Sequence, residues 1–564
     1  MLLNWKNKGY YDFYGGMDDK EDAIEVPTHL MKHVENGWVN RTSIERRRGY
    51  KTRFDGELES GRDSLHAHLH FDEVDGIVDT KGILQIIAGS GANGVLYYDN
   101  GSTRTDISTT NTVLVENTLD DDIQVTNYNG EMVGCDGVNP MWHSDGTAAG
   151  TKTILTDITA STGAPFPTKI HCVASFKEHL FIANFTDIDN SYRPYRILIN
   201  RPGDITDWPL DTNNDLDRSD RIVAIVPHGE HLLFFMRRNI YWAEYKGSQG
   251  FARAPFHFHS LISGVGAISA KSIKHTQQGT FFLSERGGVW FIPLTETNGA
   301  GKAKFVGKPM SKFWGTLTGS KRRRIVAINH INRNSLLWLV PVGTGQVYNN
   351  RAIVMNYEEW HRDGPQTSGS RGDIYPAFSF FTGEETSDQN TPFRFSTGVE
   401  IYDDTEGTWE TILCNLGKTY DFDNPTDPVE YDATEGNGIR MIVNTPFYSP
   451  GGRANKKIWR QVTLDASMKL ATPISLKQLN YNSPHVITRN PTGVAYGHTL
   501  GSSGTFILGS SILGSNQDGS IIANMEGSSR YTQFVIDTGV LTHNFSMHGI
   551  VLYYTPGGSS GHSE

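Results

Sequence analysis

Three histidines alternate along one short stretch of the chain. Successive side chains of a β-strand point to opposite faces, so His66, His68 and His70 are predicted to share one face. Three imidazoles on one face could bind zinc, but no carboxylate stands in a fixed register nearby to complete a tetrahedral site. The pattern favours an exposed or interfacial strand, as it does for the smaller pair His257 and His259, and we expect neither a metal nor another cofactor.

Two dense basic runs each stand directly before an apolar strand. Such runs can bind nucleic-acid phosphates or an acidic neighbouring subunit, and they also form solvated or ion-pairing edges beside a strand. The edge role is favoured, with ion pairing between subunits as one form of it. The runs are Arg46, Arg47, Arg48 and Arg322, Arg323, Arg324.

Acidic residues outnumber basic ones by 62 to 51, which gives a net charge of −11. This balance argues against a general nucleic-acid-binding surface, because neutralising phosphates requires Lys and Arg. The sequence contains two acidic clusters, and the usual structure of such a cluster is a solvated loop. The clusters are Asp120, Asp121, Asp122 and the stretch 421–435, which includes Asp421, Asp423 and Asp427.

Two motifs of common enzyme classes, a Walker-type glycine loop and an HExxH sequence, are absent from the sequence. We therefore expect a protein that is not an enzyme. The three widely spaced cysteines, Cys135, Cys172 and Cys414, form no metal-like pair and are predicted to be buried thiols. No signal peptide and no apolar run near 18 residues is seen, so we expect synthesis in the cytosol and no membrane-spanning segment.

The elements that carry these residues are predicted to be short β-strands. The chain has 59 Gly, 23 Tyr and 27 Phe, and 20% of its residues are charged. A unit of apolar strand, polar turn and second apolar strand recurs from starting positions near 83, 123, 170, 222, 273 and 325. This spacing of about 40 to 52 residues is typical of propeller blades. We therefore predict a β-propeller of about six blades, with a row of unrelated hairpins in sandwiches as the alternative.

The pattern of polar and apolar segments changes beyond residue 385, where longer polar loops separate the apolar runs. Strands predicted at 438–443, 457–464, 474–479, 532–536 and 547–554 indicate a second, β-sandwich-like domain. The Gly/Ser-rich tract 501–529 is predicted to be a mobile loop. The expected organisation is an N-terminal joining segment (1–75), a β-propeller (76–384) and a C-terminal platform (385–564).

Several short segments resemble the tail nozzle, or tail tubular, proteins of short-tailed bacteriophages. The N-terminal ones are Gly15-Gly16-Met17-Asp18, the segment 22–27, Glu35-Asn36-Gly37 and the segment 44–50. Later ones are 204–208, which ends on Trp208, 357–360 and 456–462.

The resemblance implies a structural protein of the virion tail. It implies a homo-oligomeric ring of six copies that contacts the tail adaptor ring and the tail fibres or spikes. The bore of this ring would retain the packaged double-stranded DNA and conduct it, without sequence specificity, during ejection. An acidic lining would repel the phosphate backbone, and the candidates for it are Asp120, Asp121, Asp122, Asp421, Asp423 and Asp427. The two arginine runs are the candidate subunit contacts.

Two other functions fit a propeller of this size. A glycoside hydrolase or lyase would need two or three carboxylates converging at the central channel. A carbohydrate- or receptor-binding module would need exposed aromatic residues on its loops. Both would act as monomers or small oligomers with a closed channel, whereas a nozzle assembles into a ring with an open bore.

Overall fold

The computed structural model describes most of the chain. The described residues are 7–13, 15–19, 22, 24–54, 64–74, 77–88, 94–100, 103–108, 123–146, 153–155, 165–209, 213–247, 256–295, 299–300, 302–317, 319–344, 346, 349–362, 374–383, 393–403, 407–415, 417–423, 439–450, 456–468, 474–480, 486–489, 517–525, 528–541 and 545–556.

Five short strands come first and are distributed among three different sheets. They are β1 (Asn7–Asp12), β2 (His33–Glu35), β3 (Gly37–Val39), β4 (Ile44–Arg46) and β5 (Tyr50–Phe54).

Five antiparallel sheets follow one another along the chain, each built from consecutive strands. Sheet 1 contains β6 (Ser64–Val74), β7 (Ile77–Ala88), β8 (Gly94–Asp99) and β9 (Arg104–Asp106). Sheet 2 contains β10 (Gln124–Tyr128), β11 (Glu131–Cys135), β12 (Trp142–Ser144) and β13 (Thr153–Ile154). Sheet 3 contains β14 (Cys172–Phe176), β15 (His179–Thr186), β16 (Tyr192–Ile199) and β17 (Asn214–Asp215). Sheet 4 contains β18 (Ile222–His228), β19 (His231–Met236), β20 (Asn239–Tyr245) and β21 (Phe256–Ser263). Sheet 5 contains β22 (Ile273–Thr276), β23 (Gly279–Leu283), β24 (Val289–Thr295), β25 (Gly299–Ala300) and β26 (Lys304–Phe305).

Two more four-stranded units complete a ring. Unit 6 contains β27 (Val326–His330), β28 (Ser335–Val340), β29 (Arg351–Arg362) and β30 (Ile374–Phe381). Unit 7 contains β31 (Thr397–Asp403), β32 (Thr408–Asn415) and β33 (Lys418–Phe422), and the N-terminal strand β5 pairs with β33 as its fourth strand. The first strand of each unit contacts the first strands of both neighbouring units, and the circle closes between β31 and β6. The chain therefore contains a seven-bladed β-propeller, and the seven units are called blades 1 to 7 below.

Helical structure in the described part of the chain consists of short 3₁₀ segments. They are Ala270–Ser272, Lys308–Met310, Phe313–Thr316, Gly319–Arg324 and Ile331–Arg333. Tight hairpin turns connect many of the strands. The turn between β10 and β11 has positive φ at Asn129 (51°) and Gly130 (77°), as the Asn-Gly pair predicts.

The C-terminal strands form a platform of two sheets. They are β34 (Ile439–Asn444), β35 (Lys457–Met468), β36 (Ser475–Asn480), β37 (Val486–Arg489), β38 (Gln517–Asn524), β39 (Ser528–Ser529), β40 (Thr532–Leu541) and β41 (Phe545–Pro556). One sheet has seven strands, in the order β3-β4-β41-β35-β38 with β1 and β39 at its sides. The other continues blade 6: β2 runs parallel to β30 and pairs on its other edge with β34, which gives the nine-stranded order β27-β28-β29-β30-β2-β34-β40-β36-β37.

One hydrophobic core runs from the propeller into the platform. It includes Phe281 of blade 5, Trp338 of blade 6, Val34 of β2, and Leu464 and Ile550 of the platform, all of them fully or almost fully buried. Burying apolar area on both sides of the junction stabilises the two parts as one unit.

The structure confirms the all-β propeller with an added β-rich platform and corrects its details. The propeller has seven blades instead of about six, because blade 7 lies in the range 385–564 and takes its last strand from residues 50–54. The boundary expected at 75/76 falls inside the β6–β7 hairpin of blade 1, since β6 is an innermost propeller strand. Within 501–529, expected to be a loop, β38 and β39 pair with β35, and residues 501–516 lie outside the described residues.

Candidate functional site

A cavity of about 370 Å³ lies on the axis of the propeller. Its wall is formed by the innermost strands of blades 1 to 4 and by the turn that precedes blade 5. The lining includes His66 and His68 on β6, Thr126 on β10, Ser175 on β14 and Lys271 of the turn. Hydroxyl groups join neighbouring blades at this wall, because Thr126 Oγ1 and Ser175 Oγ are 3.0 Å apart.

Polar side chains bridge blades that are not adjacent in the ring. Lys271 Nζ donates to the Leu65 carbonyl (2.8 Å) and so connects the turn before blade 5 to blade 1. Lys274 of blade 5 forms an ion pair with Glu400 of blade 7, with 2.7 Å between Nζ and Oε2. Gln124 Nε2 of blade 2 donates to the Val223 carbonyl of blade 4 (3.0 Å). These contacts cross the axial region, so the propeller axis holds a partly open cavity and not a continuous bore.

The three alternating histidines do share one face of β6. Ala67 and Leu69, on the opposite face, pack against blade 7. His70 lies between blades 1 and 2, where Nδ1 is 2.8 Å from Tyr98 Oη and Nε2 is 3.0 Å from the Gly130 carbonyl. His66 and His68 line the cavity instead, with ring centroids 6.4 Å apart. The strand is thus internal to the propeller, and the three imidazoles do not converge on one point.

Both cavity histidines are held in the neutral state. Burial lowers the pKa of His66 well below its ordinary value of 6.5, and the nearby Lys271 charge adds to the effect. Burial also lowers the pKa of His68, to about 4, although Asn127 beside it partly offsets the shift. Nε2 of each ring is buried and makes no hydrogen bond. No cluster of three or more metal-ligating side chains occurs among the described residues.

A second polar cluster, here called the ionic joint, is buried where blade 6, blade 7 and the platform meet. Asp423 follows blade 7, and its side chain has 0% exposure. It accepts hydrogen bonds from Arg48 N–H (2.7 Å) and from Arg333 Nε (3.1 Å). Arg333 also makes a two-pronged contact with Glu45 of β4, at 2.8 and 3.2 Å. Its guanidinium lies over the Trp38 ring.

The charge state of the ionic joint is set by this pairing. Burial alone would raise the pKa of Asp423, but the Arg333 charge, the adjacent His330 ring and the hydrogen bond from Arg48 N–H outweigh it and hold the pKa well below its usual range. The carboxylate therefore stays ionised inside the protein. Because it is buried, Asp423 cannot line a channel, and its assignment as a lining residue was wrong.

The first arginine run is also internal. Arg46 and Arg47 have 0% exposure, which excludes them as subunit contacts, whereas Arg48 is half-buried. Arg47 donates to Asn36 Oδ1 (3.0 Å) and to the Thr382 carbonyl (2.9 Å). Its guanidinium also lies over the Phe381 and Phe393 rings.

Asn36 connects the same region to the platform. Its Nδ2 donates to Thr382 Oγ1 (3.0 Å) and to the Arg440 carbonyl of β34 (2.9 Å). Its backbone has φ of 55°, which asparagine tolerates better than most residues. Asn36 and Arg47 together therefore join the N-terminal segment, blade 6 and β34.

The other predicted site residues are more exposed or lie outside the described part. Asp421, on the strand β33, is 20% exposed and pairs with Arg53 of β5 at 3.1 Å. It belongs to the outer side of blade 7. Arg322, Arg323 and Arg324 are half-buried in the 3₁₀ segment that precedes β27. Asp120, Asp121, Asp122 and Asp427 lie outside the described residues.

A polar groove of about 370 Å³ crosses the exposed face of the nine-stranded sheet, opposite the apolar core. Its charged pairs are His33 with Glu35 (3.1 Å) and Arg440 with Asp537 (2.7 Å). Its lining residues are His33, Glu35, Arg351, Arg440, Ile442, Asn444, Ser475, Lys477, Val535 and Asp537.

The sequence alone did not predict which residues pair with the side chains of these sites. No sequence motif marks Lys271, Lys274 or Glu400. They meet at the axis only because the blades close into a ring. Arg333 lies 90 residues from Asp423 along the chain. The buried state of all three cysteines was predicted correctly.

No protein-family model matches the chain, and no curated protein sequence matches it. The chain is similar in fold to solved structures at low identity. YCF48 from Cyanidioschyzon merolae has 9% identity and a TM-score of 0.34, over 66% of this chain and 98% of that one. PorZ, a surface component of the type-IX secretion system of Porphyromonas gingivalis, has 9% identity and a TM-score of 0.38, over 78% of this chain and 54% of that one. The propeller assignment itself rests on the seven blades described above.

Among the described residues, no helix has the length and apolar character needed to cross a membrane.

Proposed function

We propose that the chain is a structural, non-enzymatic subunit of the tail nozzle ring of a short-tailed bacteriophage. The observation that carries the proposal is the rigid union of propeller and platform. The N-terminal segments that resemble nozzle proteins, around Asn36 and residues 44–50, are the segments that make this union. A ring that retains pressurised DNA needs subunits whose parts do not hinge.

Three independent connections support a rigid subunit. The nine-stranded sheet passes from blade 6 into the platform without a break in strand pairing. One hydrophobic core extends across the same junction. The ionic joint adds buried, directional contacts, for which removal of one partner is costly.

The conduit in this proposal lies between copies of the chain. The propeller axis cannot serve, because Lys274–Glu400 and Lys271–Leu65 span its interior. A lumen shared by several copies would be lined by surface loops, and Asp120, Asp121, Asp122 and Asp427 stay the candidates for its acidic lining. An acidic wall would let DNA slide, since it offers no cations to displace the counterions of the phosphates.

Contacts between copies are proposed at the groove of the nine-stranded sheet and at residues 322–324. The groove presents three cationic side chains, Arg351, Arg440 and Lys477, and two carboxylates, Glu35 and Asp537. The rest of the chain carries a large excess of acid, with a net charge of −11 overall. A ring joins two different patches of each subunit, so a basic groove can meet an acidic patch of the next copy. The partner proposed for the groove is thus a second copy of the chain.

Mass photometry of the purified chain tests the assembly. The proposal expects one dominant species at about six times the chain mass of 62.7 kDa. Glycan-array binding and hydrolysis assays run on the same sample test the competing carbohydrate functions. A stable monomer that binds or cleaves a glycan would overturn the proposal.

A further inference from the structure

The axial cavity contains polar atoms that the fold leaves unsatisfied. Nε2 of His66 and Nε2 of His68 are buried at its wall without a hydrogen bond. A buried polar atom without a partner costs free energy, and native proteins keep few of them. Apolar residues of similar size at these two positions would avoid that cost. The two imidazoles therefore point to a partner that occupies the cavity.

The charges around the two histidines determine what kind of partner fits. Lys271 belongs to the cavity lining, and Lys274 lies close enough to depress the pKa of both imidazoles. Glu400 does not compete for this space, since it is paired with Lys274 and accepts the Asn329 N–H. The Lys271 ammonium would repel a metal cation and attract an anion, since the Lys274 charge is compensated by Glu400.

We propose that the axial cavity binds a small molecule carrying an oxyanion group, namely a carboxylate, phosphate or sulfate. The oxyanion accepts hydrogen bonds from the His66 and His68 rings and lies in the field of Lys271. The volume of about 370 Å³ suits such a ligand, because small-molecule sites span roughly 300–1,000 Å³. The site goes beyond the proposed nozzle function and does not depend on it.

Binding of the oxyanion is coupled to protonation. The titratable side chains lining the cavity are His66, His68 and Lys271, with His70 and the Lys274–Glu400 pair next to them. A bound anion favours the protonated form of both rings, so the complex takes up protons and tightens as the pH falls. Sulfate stays fully ionised across this range and is thus the probe of choice.

Isothermal titration calorimetry of the full-length protein with sodium sulfate, at constant ionic strength, tests the proposal. One saturable site per chain is expected at pH 6, with at least a several-fold loss of affinity at pH 8. Acetate and inorganic phosphate, titrated in parallel, distinguish a carboxylate-type from a phosphate-type ligand. Absence of saturable binding of all three anions at pH 6 would overturn the proposal, as would a map at high resolution that shows only water in the cavity under saturating sulfate.

Variants separate the cavity from nonspecific salt effects. His66→Leu and His68→Leu are expected to abolish sulfate binding while raising the melting temperature measured without sulfate, because each removes a buried unsatisfied atom. His257→Leu, at an exposed position of β21, is the matched control and should bind like the parent. Unchanged sulfate affinity in His66→Leu and His68→Leu would contradict the assignment.

Discussion

Arg333 and Asp423 form a buried ion pair, with 3.1 Å between Nε and Oδ2, that connects blade 6 to the end of blade 7. The same guanidinium holds Glu45 of the platform at 2.8 Å. One arginine thus ties together three parts of the molecule that lie far apart in sequence. Loss of these contacts should therefore destabilise the junction of blade 6, blade 7 and the platform.

Replacing Asp423 by Asn should destabilise the protein strongly. The substitution removes the fully buried carboxylate of the pair and leaves Arg333, which is 21% exposed, with one fewer partner. Breaking a buried ion pair by removing one partner costs about 3–5 kcal/mol. Urea unfolding followed by fluorescence gives the change in the free energy of unfolding. Asp421→Asn is the matched control, because Asp421 is partly exposed, and its effect should stay below about 1 kcal/mol. Equal effects of the two variants would refute the role assigned to Asp423.

Replacing Arg47 by Lys should also be costly despite the conserved charge. A lysine ammonium cannot reproduce the separate contacts to Asn36 and Thr382 or lie flat over Phe381. We expect a loss of about 2–4 kcal/mol in the free energy of unfolding. Hydrogen exchange of β34 should increase in the same variant, since Asn36 links Arg47 to that strand. Arg41→Lys, at an exposed position, should leave both measurements unchanged.

The cavity histidines should make the protein less stable in mild acid. The unfolded chain protonates His68 near its ordinary pKa of 6.5, whereas burial keeps the folded pKa at about 4. Between these values the unfolded state binds more protons, so stability falls as the pH drops from 6.5 towards 4. At roughly 1.4 kcal/mol per pKa unit, His68 alone accounts for about 2 kcal/mol between pH 6.5 and pH 5.

Denaturant unfolding between pH 7.5 and 5 measures this dependence. The double variant His66→Gln, His68→Gln should flatten the curve, while His257→Gln should follow the parent. Buffers without oxyanions are needed, because a bound oxyanion would oppose the effect. A curve that keeps its slope in the double variant would show that other groups dominate the acid response.

Charge reversal in the groove should weaken the ring without unfolding the chain. Lys477→Glu and Arg351→Glu would set two new carboxylates in a groove that is proposed to face another copy of a chain with a net charge of −11. Size-exclusion chromatography should show smaller species with an unchanged circular dichroism spectrum. Lys246→Glu, directly after β20 of blade 4, is the control and should assemble normally. Rings that survive both groove substitutions would place the contact elsewhere.

Local sequence patterns were enough to identify most of the blades. Hairpin signals such as Asn129-Gly130 and the period of about 40 to 52 residues placed five innermost strands within two or three residues of their observed starts. Blade 7 escaped detection because it is assembled from β31–β33 and the distant β5. Pairing between strands more than 360 residues apart leaves no periodic trace in the sequence.

The burial of charged residues was harder to predict, because it also depends on strands that are remote in the sequence. The runs at 46–48 and 421–427 have the composition of solvated edges, yet Arg47 and Asp423 are fully buried. A charge can be buried when its partner is in place, and those partners come from remote strands. The histidine alternation did predict a shared face, but only ring closure showed that His66 and His68 line the axis.

Electron microscopy of the purified chain shows directly whether its copies assemble into a ring. Closed rings of six copies are expected, viewed end-on, with an open axial bore between subunits and with no bore along each propeller axis. Isolated monomers at micromolar concentration, or a closed oligomer without a bore, would contradict this expectation.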